Sequence, residues 1–213
     1  DTSRSFDGTY FDALDINDDG SVLAISSWAH WGDTRYQFGP GAVWVYSRSG
    51  NNWTQKNNTN DPTSGSYSNA GIRGDSSSGD AGENFGWSMS LSSDGNRIAV
   101  GAPKADGGGF ANSGSISVWD WTEITGQDRT EWVQVGSTRY GHIDGSGFGL
   151  GDSISMSKDG NVIISGAPDR DYARVFRWDG SDWNAEATFS SGSSECFGDD
   201  VDIDAVKSID LLK

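Results

Sequence analysis

One pattern occurs three times along this chain: a strand of alternating apolar and polar residues, a turn with Asp-Gly at its tip, and an apolar strand. The three copies occupy residues 14–26, 89–101 and 154–166. Asp-Gly between two such strands predicts a tight β-hairpin, because glycine accepts the positive φ that the turn requires. Recurrence of one small unit is typical of repeat proteins, in which each copy packs against its neighbours. The pattern therefore predicts an all-β repeat architecture.

Two further strand signals follow each hairpin. The first is an apolar run that contains an aromatic residue, and the second is a short run around a tryptophan. The apolar runs lie at 42–46, 115–119 and 173–176, and the tryptophans are Trp53, Trp132 and Trp183. Four antiparallel strands in each repeat are typical of the blades of a β-propeller. A β-sandwich is the alternative, but a sandwich does not need three copies of one motif.

Short motifs flank the hairpins of the second and third copies. Phe85-Gly86 precedes the second hairpin, and Gly-Ala-Pro follows both hairpins, at 101–103 and 166–168. Phe-Gly, a hairpin, Gly-Ala-Pro and then a strand with an aromatic residue resemble the FG-GAP repeat, which forms the blades of the integrin α-subunit propeller. The resemblance extends over three blades and the start of a fourth, at Phe197-Gly198.

The first and third copies depart from these motifs. In the third copy, either Leu150-Gly151 or Phe148-Gly149 occupies the Phe-Gly position. In the first copy, Phe11-Asp12 and Ser26-Ser27-Trp28 stand where the two motifs are expected. The resemblance is therefore strongest in the second copy.

We predict that residues 1–213 form a single, incomplete β-propeller with about three and a half four-stranded FG-GAP-like blades. The predicted units are a blade at 10–57, a polar loop at 58–82, blades at 83–136 and 148–188, and the start of a further blade at 196–213. Integrin-like propellers have seven blades, so the resemblance implies that other protein chains or further blades of the same polypeptide complete the ring. Unpaired edges and faces of an incomplete ring favour such pairing.

Composition narrows the functional classes. Hydrophobic residues make up 34% of the chain, 30 residues are glycine, and the net charge is −16. So acidic a chain is repelled by phosphate backbones and anionic membrane surfaces, which argues against nucleic-acid binding. The sequence contains no run of 18 apolar residues, so we expect no membrane insertion. Cys196 is the only cysteine, which excludes a disulfide within the chain.

The first hairpin contains a candidate calcium loop. Asp15, Asn17 and Asp19 match the pattern D-x-[DN]-x-[DN]-G, in which oxygen ligands surround a tight turn. An EF-hand is excluded, because Ser26 stands at the twelfth position, where an EF-hand has glutamate. Some FG-GAP blades carry a related loop with a further aspartate at its ninth position, which is Leu23 here. We predict weak Ca²⁺ binding at this loop. The alternative is an ordinary hairpin whose aspartates accept hydrogen bonds from the turn backbone.

Two other segments contain candidate ligand-binding residues. Arg73, Gly74 and Asp75 form a tripeptide that integrins recognise, and the predicted polar loop would present it as an adhesive site. Ordinary loop composition is the alternative explanation of this tripeptide. Trp28 and Trp31 follow the first hairpin, where their rings could stack on sugar faces. Packing between blades is the alternative for these two tryptophans.

Sequons and the absence of catalytic motifs suggest a location and a function. Asn52 and Asn57 begin N-x-[ST] sequons, which favour a secreted or cell-surface glycoprotein. His30 and His142 lack zinc-ligand spacing, and the sequence has no nucleophile elbow or nucleotide-binding glycine loop. We therefore predict a non-catalytic extracellular structural or adhesion module that mediates protein–protein contacts or self-assembly. The alternative is a carbohydrate-binding, lectin-like propeller that binds glycans and is associated with hydrolase activity.

Overall fold

The computed structural model describes residues 13–28, 41–56, 71–74, 83–127, 129–143, 147–192 and 196–203. The described residues form fourteen strands in three antiparallel sheets, and among them a 3-10 turn at Pro168–Arg170 is the only helical segment. The prediction of an all-β chain is therefore confirmed. No helix among the described residues is long and apolar enough to cross a membrane.

Each sheet corresponds to one repeat and is called a blade below. The first blade contains β1 (Leu14–Ile16), β2 (Val22–Ser27), β3 (Ala42–Ser49), β4 (Asn52–Gln55) and β5 (Ile72–Arg73). The second contains β6 (Met89–Leu91), β7 (Arg97–Ala102), β8 (Ser115–Glu123), β9 (Thr130–Gln134) and β10 (Arg139–Tyr140). The third contains β11 (Ser153–Met156), β12 (Val162–Ala167), β13 (Tyr172–Trp178) and β14 (Trp183–Phe189). Within each blade the first four strands are hydrogen-bonded in chain order.

The fourth strand position is continuous in the third blade and divided in the other two. β14 pairs with β13 over Trp183–Phe189. In the first blade, β4 pairs with residues 46–49 of β3, whereas β5 pairs with residues 42–43. β9 and β10 divide the edge of β8 in the same way. Ile72 of β5 is buried. Two residues of the segment predicted to be a polar loop, 58–82, therefore belong to a strand.

The first strands of successive blades are joined by one repeated hydrogen bond. In each case a backbone N–H of the later strand donates to a side-chain oxygen in the middle of the earlier strand. The three bonds run from Leu91 to Asp15 (2.7 Å), from Met156 to Ser90 (3.1 Å) and from Ile203 to Ser155 (3.1 Å). Ile203 therefore occupies the position that Leu91 and Met156 occupy in the first strands of the second and third blades.

Each blade junction contains a glycine with positive φ, at which a Cβ atom would closely approach the preceding blade. Gly86, Gly151 and Gly198 have φ values of 88°, 92° and 91°. A Cβ atom on Gly151 would overlap the Ser115 carbonyl oxygen and lie 3.0 Å from the Ala102 nitrogen, both in the preceding blade. Gly149 is not among the residues with positive φ. Leu150-Gly151, and not Phe148-Gly149, is therefore the Phe-Gly equivalent of the third blade.

Serine hydroxyls secure these junctions and explain why the first copy departs from Gly-Ala-Pro. Ser88 Oγ donates to the Gly151 carbonyl at 2.7 Å, and a Cβ on Gly101 would lie 2.5 Å from that hydroxyl. The first blade has Ser26 at the position of Gly101, and its hydroxyl donates to the Gly86 carbonyl at 2.6 Å. In the first blade the hydroxyl is therefore supplied by Ser26 of β2 and not by the residue directly before the first strand. A glycine is not required at position 26 for this reason.

Tryptophan pairs and cations connect each blade to the next. Trp121 and Trp132 lie opposite each other on β8 and β9, with ring centroids 5.5 Å apart. Lys56 Nζ of the first blade lies over both rings, 5.3 and 5.4 Å from their centroids, and donates to the Gly95 carbonyl at 3.0 Å. Cation–π contacts strengthen when they are withdrawn from water, and Lys56 is buried. The lysine therefore ties the first blade to the second.

Arg97 performs the same role at the next junction. Its guanidinium lies 5.5 Å from the ring of Trp178 and 5.8 Å from that of Trp183, which form the matching pair of the third blade. Its Nη1–H donates to the Gly160 carbonyl at 2.9 Å. Lys56 follows β4 whereas Arg97 begins β7, so two different sequence positions supply a cation to equivalent sites.

Candidate functional site

Three aromatic side chains from successive repeats meet at the end of the blades that carries the Phe-Gly and Gly-Ala-Pro motifs. The ring centroids of Trp28 and Trp87 are 5.8 Å apart, and those of Trp87 and Phe148 are 4.6 Å apart. All three residues are half-buried. Lys104 Nζ lies 4.9 Å from the centroid of the Phe148 ring. We call Trp28, Trp87, Phe148 and the neighbouring Asp152 the aromatic face.

The repeat itself positions this face. Trp87 and Asp152 directly follow the junction glycines Gly86 and Gly151, so they occupy equivalent positions in the second and third blades. Because each junction glycine turns the chain into the first strand, the residue after it lies at the same end of every blade. Trp28 directly follows β2, and that strand ends at this same end of the first blade.

Asp152 is the carboxyl group of the aromatic face. The indole N–H of Trp87 donates to its side chain. Burial and, to a smaller extent, the charges of Asp199 and Asp169 together raise the pKa of Asp152 to about 6, against the lowering effect of the Trp87 hydrogen bond. A carboxyl group that keeps its proton until about pH 6 can donate as well as accept a hydrogen bond. This group therefore suits a ligand that offers hydroxyl or cationic groups.

The candidate calcium residues make hydrogen bonds typical of a hairpin. Asn17 Oδ1 accepts from the backbone N–H groups of Ser21 (2.9 Å) and Val22 (2.8 Å). Asp19 Oδ1 accepts from the N–H of Ser21 at 2.9 Å, and hydrogen bonds from Ser21 lower the pKa of Asp19. Asp15 binds two backbone N–H groups, while burial raises its pKa. Among the described residues, no three His, Cys, Asp or Glu side chains are grouped to hold a metal ion. The calcium site stays a prediction.

The other candidate residues are dispersed. Arg73 lies in β5, paired with Ala42, and the Gly74 N–H donates to the Gly41 carbonyl at 3.1 Å. Two of the three residues of the candidate adhesive tripeptide, Arg73 and Gly74, are therefore hydrogen-bonded to the first blade. Asn52 is exposed at the start of β4. Asp75, Trp31 and Asn57 lie outside the described residues.

Sequence reasoning found Trp28 but missed its partners. Trp87, Phe148 and Asp152 belong to different repeats and carry no motif of their own. The signal that could have found Trp87 and Asp152 was their common position after the Phe-Gly glycine. Phe148 gives no comparable signal, because its place depends on how the chain enters the third blade.

Comparisons with known proteins agree with this architecture. Residues 76–119 match the FG-GAP repeat family model, which places the match on β6, β7 and the first half of β8. No curated protein matches the chain. A candidate 6-phosphogluconolactonase from Bacteroides uniformis is similar in structure, with a TM-score of 0.52 and 10% identity over 85% of this chain and 41% of that one.

Two further solved structures are similar to about the same degree. A candidate 6-phosphogluconolactonase from Bacteroides fragilis has a TM-score of 0.51 and 12% identity, over 86% of this chain and 40% of that one. The RRP9 WD40 repeats have a TM-score of 0.50 and 10% identity, over 93% and 43%. The chain thus spans less than half the length of these structures, and such low identities show the fold alone. The chain has the β-propeller fold and contains an FG-GAP repeat in its second blade.

Proposed function

We propose that this chain is a non-catalytic extracellular module that binds protein partners through the aromatic face. One observation carries the proposal: Trp28, Trp87 and Phe148 meet at one end of the blades and remain partly exposed. The tryptophans of the cross-strand pairs, in contrast, lie beneath cations at the junctions between blades. Aromatic clusters beside a polar rim are typical of the residues that dominate protein–protein binding energy.

The blades suit this role because they hold the face rigidly. Trp28 directly follows β2, Trp87 directly follows a junction glycine, and the Phe148 ring packs against that of Trp87, so little side-chain freedom is lost on binding. Asp152 and Lys104 add one group of each charge beside the rings. The resemblance to integrin propellers and the exposed sequon at Asn52 support an extracellular location.

Carbohydrate binding is the second candidate function, and one observation favours it. The Trp87 and Phe148 rings are adjacent, with a carboxyl group beside them, and sugars are recognised by ring stacking together with hydrogen bonds to carboxyl groups. The similarity to candidate lactonases rests on identities of 10% and 12%, and so carries no catalytic argument. We expect no hydrolysis of 6-phosphogluconolactone above its spontaneous rate.

Binding to arrays distinguishes the two candidates. The wild type, Trp87→Ala and Trp53→Ala are applied to an array of extracellular proteins and to an array of glycans. Trp53 is an exposed tryptophan of β4, away from the aromatic face, and so is a matched control. Loss of protein binding in Trp87→Ala alone would support a protein-binding module, whereas loss of glycan binding in that variant alone would support the second candidate. Equal binding by both variants would contradict a function for this face, provided that all three chains melt alike.

A further inference from the structure

Four side chains with hydrogen-bond donors or positive charge converge where the second blade meets the third. Arg170 ends the 3-10 turn that begins at the proline of Gly-Ala-Pro, and Tyr172 and Arg174 follow on β13. His142, which follows β10, stacks on Tyr172 with ring centroids 4.7 Å apart. Both guanidinium charges act on the Tyr172 hydroxyl. We call these four residues the basic cluster.

The basic cluster contains buried donors without acceptors. Tyr172 is 2% exposed, and its hydroxyl lies close to the backbone of His142 but forms no well-oriented hydrogen bond with any described residue. The Nε atoms of Arg170 and Arg174 are buried and also lack an acceptor among the described residues. A buried donor without a partner destabilises a fold, because its hydration is lost and nothing replaces it. Donors of this kind are available to the acceptor atoms of a ligand.

The two guanidinium groups also lack carboxylate partners in the described part of the chain. Arg170 donates to the carbonyls of Asp169 (3.2 Å), Asn112 (3.4 Å) and Gly147 (3.4 Å). Arg174 lies over the Phe176 ring at 5.3 Å. Other arginines of this acidic chain do pair with carboxylates. They include Arg97, Arg129, Arg139 and Arg177.

Nearby acidic groups point elsewhere. Asp169 and Asp171 flank Arg170 in sequence, but Asp169 Oδ2 accepts from the Phe148 N–H at 2.7 Å, and Asp171 Oδ1 accepts from the Ser191 hydroxyl at 2.8 Å. The charge that acts on His142 is that of Arg174, and burial together with this charge lowers the pKa of His142. Among the described residues, the charges that act on Tyr172 and His142 are therefore those of the two arginines, in a chain with net charge −16.

We propose that the basic cluster is an oxyanion-binding site that takes a phosphate or sulfate group. The guanidinium, phenol and imidazole donors come from two neighbouring blades, which suits the several oxygens of a tetrahedral anion. The anion would accept hydrogen bonds from the Tyr172 hydroxyl and from the guanidinium N–H groups of Arg170 and Arg174, and would stabilise protonated His142. This inference is independent of the aromatic face, so either can fail without the other.

The titration of His142 tests the site directly. The chain has only two histidines, so each imidazole resonance can be followed by NMR from pH 4.5 to 8 and assigned with His142→Gln. Sulfate should raise the pKa of His142, because the anion favours the imidazolium form, whereas chloride at equal ionic strength should not. The sulfate response should be lost in Arg174→Gln and kept in Arg177→Gln, whose guanidinium pairs with Glu186 on the same blade. Equal responses to sulfate and chloride, or in both variants, would overturn the site.

Tyr172→Phe separates binding from folding. Because the hydroxyl has no well-oriented partner, we expect the variant to melt at the wild-type temperature without an anion and to bind sulfate about ten-fold more weakly. A lower melting temperature without anion would show that the fold already satisfies the hydroxyl, and would refute the proposal. Methyl phosphate is compared with inorganic phosphate: binding of both indicates a group carried on a larger molecule, whereas binding of the free ion alone limits the site to inorganic anions. Binding of neither, together with no response to sulfate, refutes the site.

Discussion

Arg97 pairs with Asp120 of its own blade and makes a hydrogen bond and cation–π contacts with the third blade, so its replacement measures how strongly neighbouring blades depend on each other. Its Nε–H and Nη2–H donate to the two carboxylate oxygens of Asp120 at 2.6 and 2.8 Å. Its Nη1–H donates to Gly160 of the third blade at 2.9 Å, and its guanidinium lies over the Trp178 ring. Arg97→Met removes the charge and keeps most of the aliphatic packing.

The expected loss follows from these contacts. A hydrogen bond from a charged group contributes about 1.5–3 kcal/mol, and a partly exposed cation–π contact contributes about 0.5–1 kcal/mol. The pair with Asp120 is partly exposed, which limits its contribution to about 1 kcal/mol. Since methionine recovers some packing, we expect Arg97→Met to lower the free energy of unfolding by about 3 kcal/mol.

Urea unfolding followed by tryptophan fluorescence measures this loss. Arg177→Met is the matched control, because Arg177 pairs with Glu186 within one blade at the surface, and its loss should cost no more than about 0.5 kcal/mol. In a double-mutant cycle, Trp178→Leu should cost less in the Arg97→Met background than in the wild type. Equal losses for the two arginine variants would refute the conclusion that Arg97 couples the blades.

Three further predictions concern single positions. Gly151→Ala should lower the free energy of unfolding by about 3 kcal/mol, because φ is 92° and the new Cβ would overlap backbone of the preceding blade. Gly180→Ala is the control, with φ of 99° and no atom within 4 Å of the new Cβ. In the same urea unfolding measurement it should lower the free energy of unfolding by only about 1–2 kcal/mol. Asp152 has a folded pKa of about 6, raised from 3.8, so its contribution to stability is present at low pH and is lost as pH rises through 4 to 6. Asp152→Asn should therefore gain about 1 kcal/mol at pH 7, after discounting for solvent exposure, and nothing at pH 3.5. Calorimetry should detect weak Ca²⁺ binding in the wild type and none in Asp19→Ala, while no heat in either would favour the plain hairpin.

Much of the fold could be predicted because it depends on short-range rules. Asp-Gly turns and alternating strands appear in the sequence at the places where β1–β2, β6–β7 and β11–β12 form hairpins. The divided fourth strand could not be predicted, since β5 and β10 are only two residues long and are defined by the strand beside them. Ile72 is buried by β3, and no local pattern encodes that pairing.

The junctions and the aromatic face depend on contacts between repeats, which a repeat pattern conceals. Lys56 and Arg97 supply equivalent cations from different positions of the repeat, so an alignment of the repeats never places them together. The hydroxyl that donates to the next junction glycine belongs to Ser26 of β2 in the first blade and to Ser88, directly before β6, in the second. This difference made the first copy look like a departure from the motif. In each case an equivalent interaction is made by a residue at a different position of the repeat.

The outer face of the first blade leads to the last prediction, that this chain associates through it with another blade. Leu14 and Ile16 are 75% and 51% exposed, whereas their equivalents Met89 and Leu91 are each 7% exposed in the core between the first two blades. Burying one such side chain is favourable by about 1.5–3 kcal/mol, so the exposed pair favours assembly with a partner chain or a further blade. We expect residues 1–213 to self-associate in light scattering, and the double variant Leu14→Glu, Ile16→Glu to be monomeric with an unchanged melt, because both side chains are already exposed. Val133→Glu, at an exposed apolar residue of the second blade, should leave the association intact. A wild-type chain that is monomeric and melts cooperatively would show that the first blade needs no neighbour.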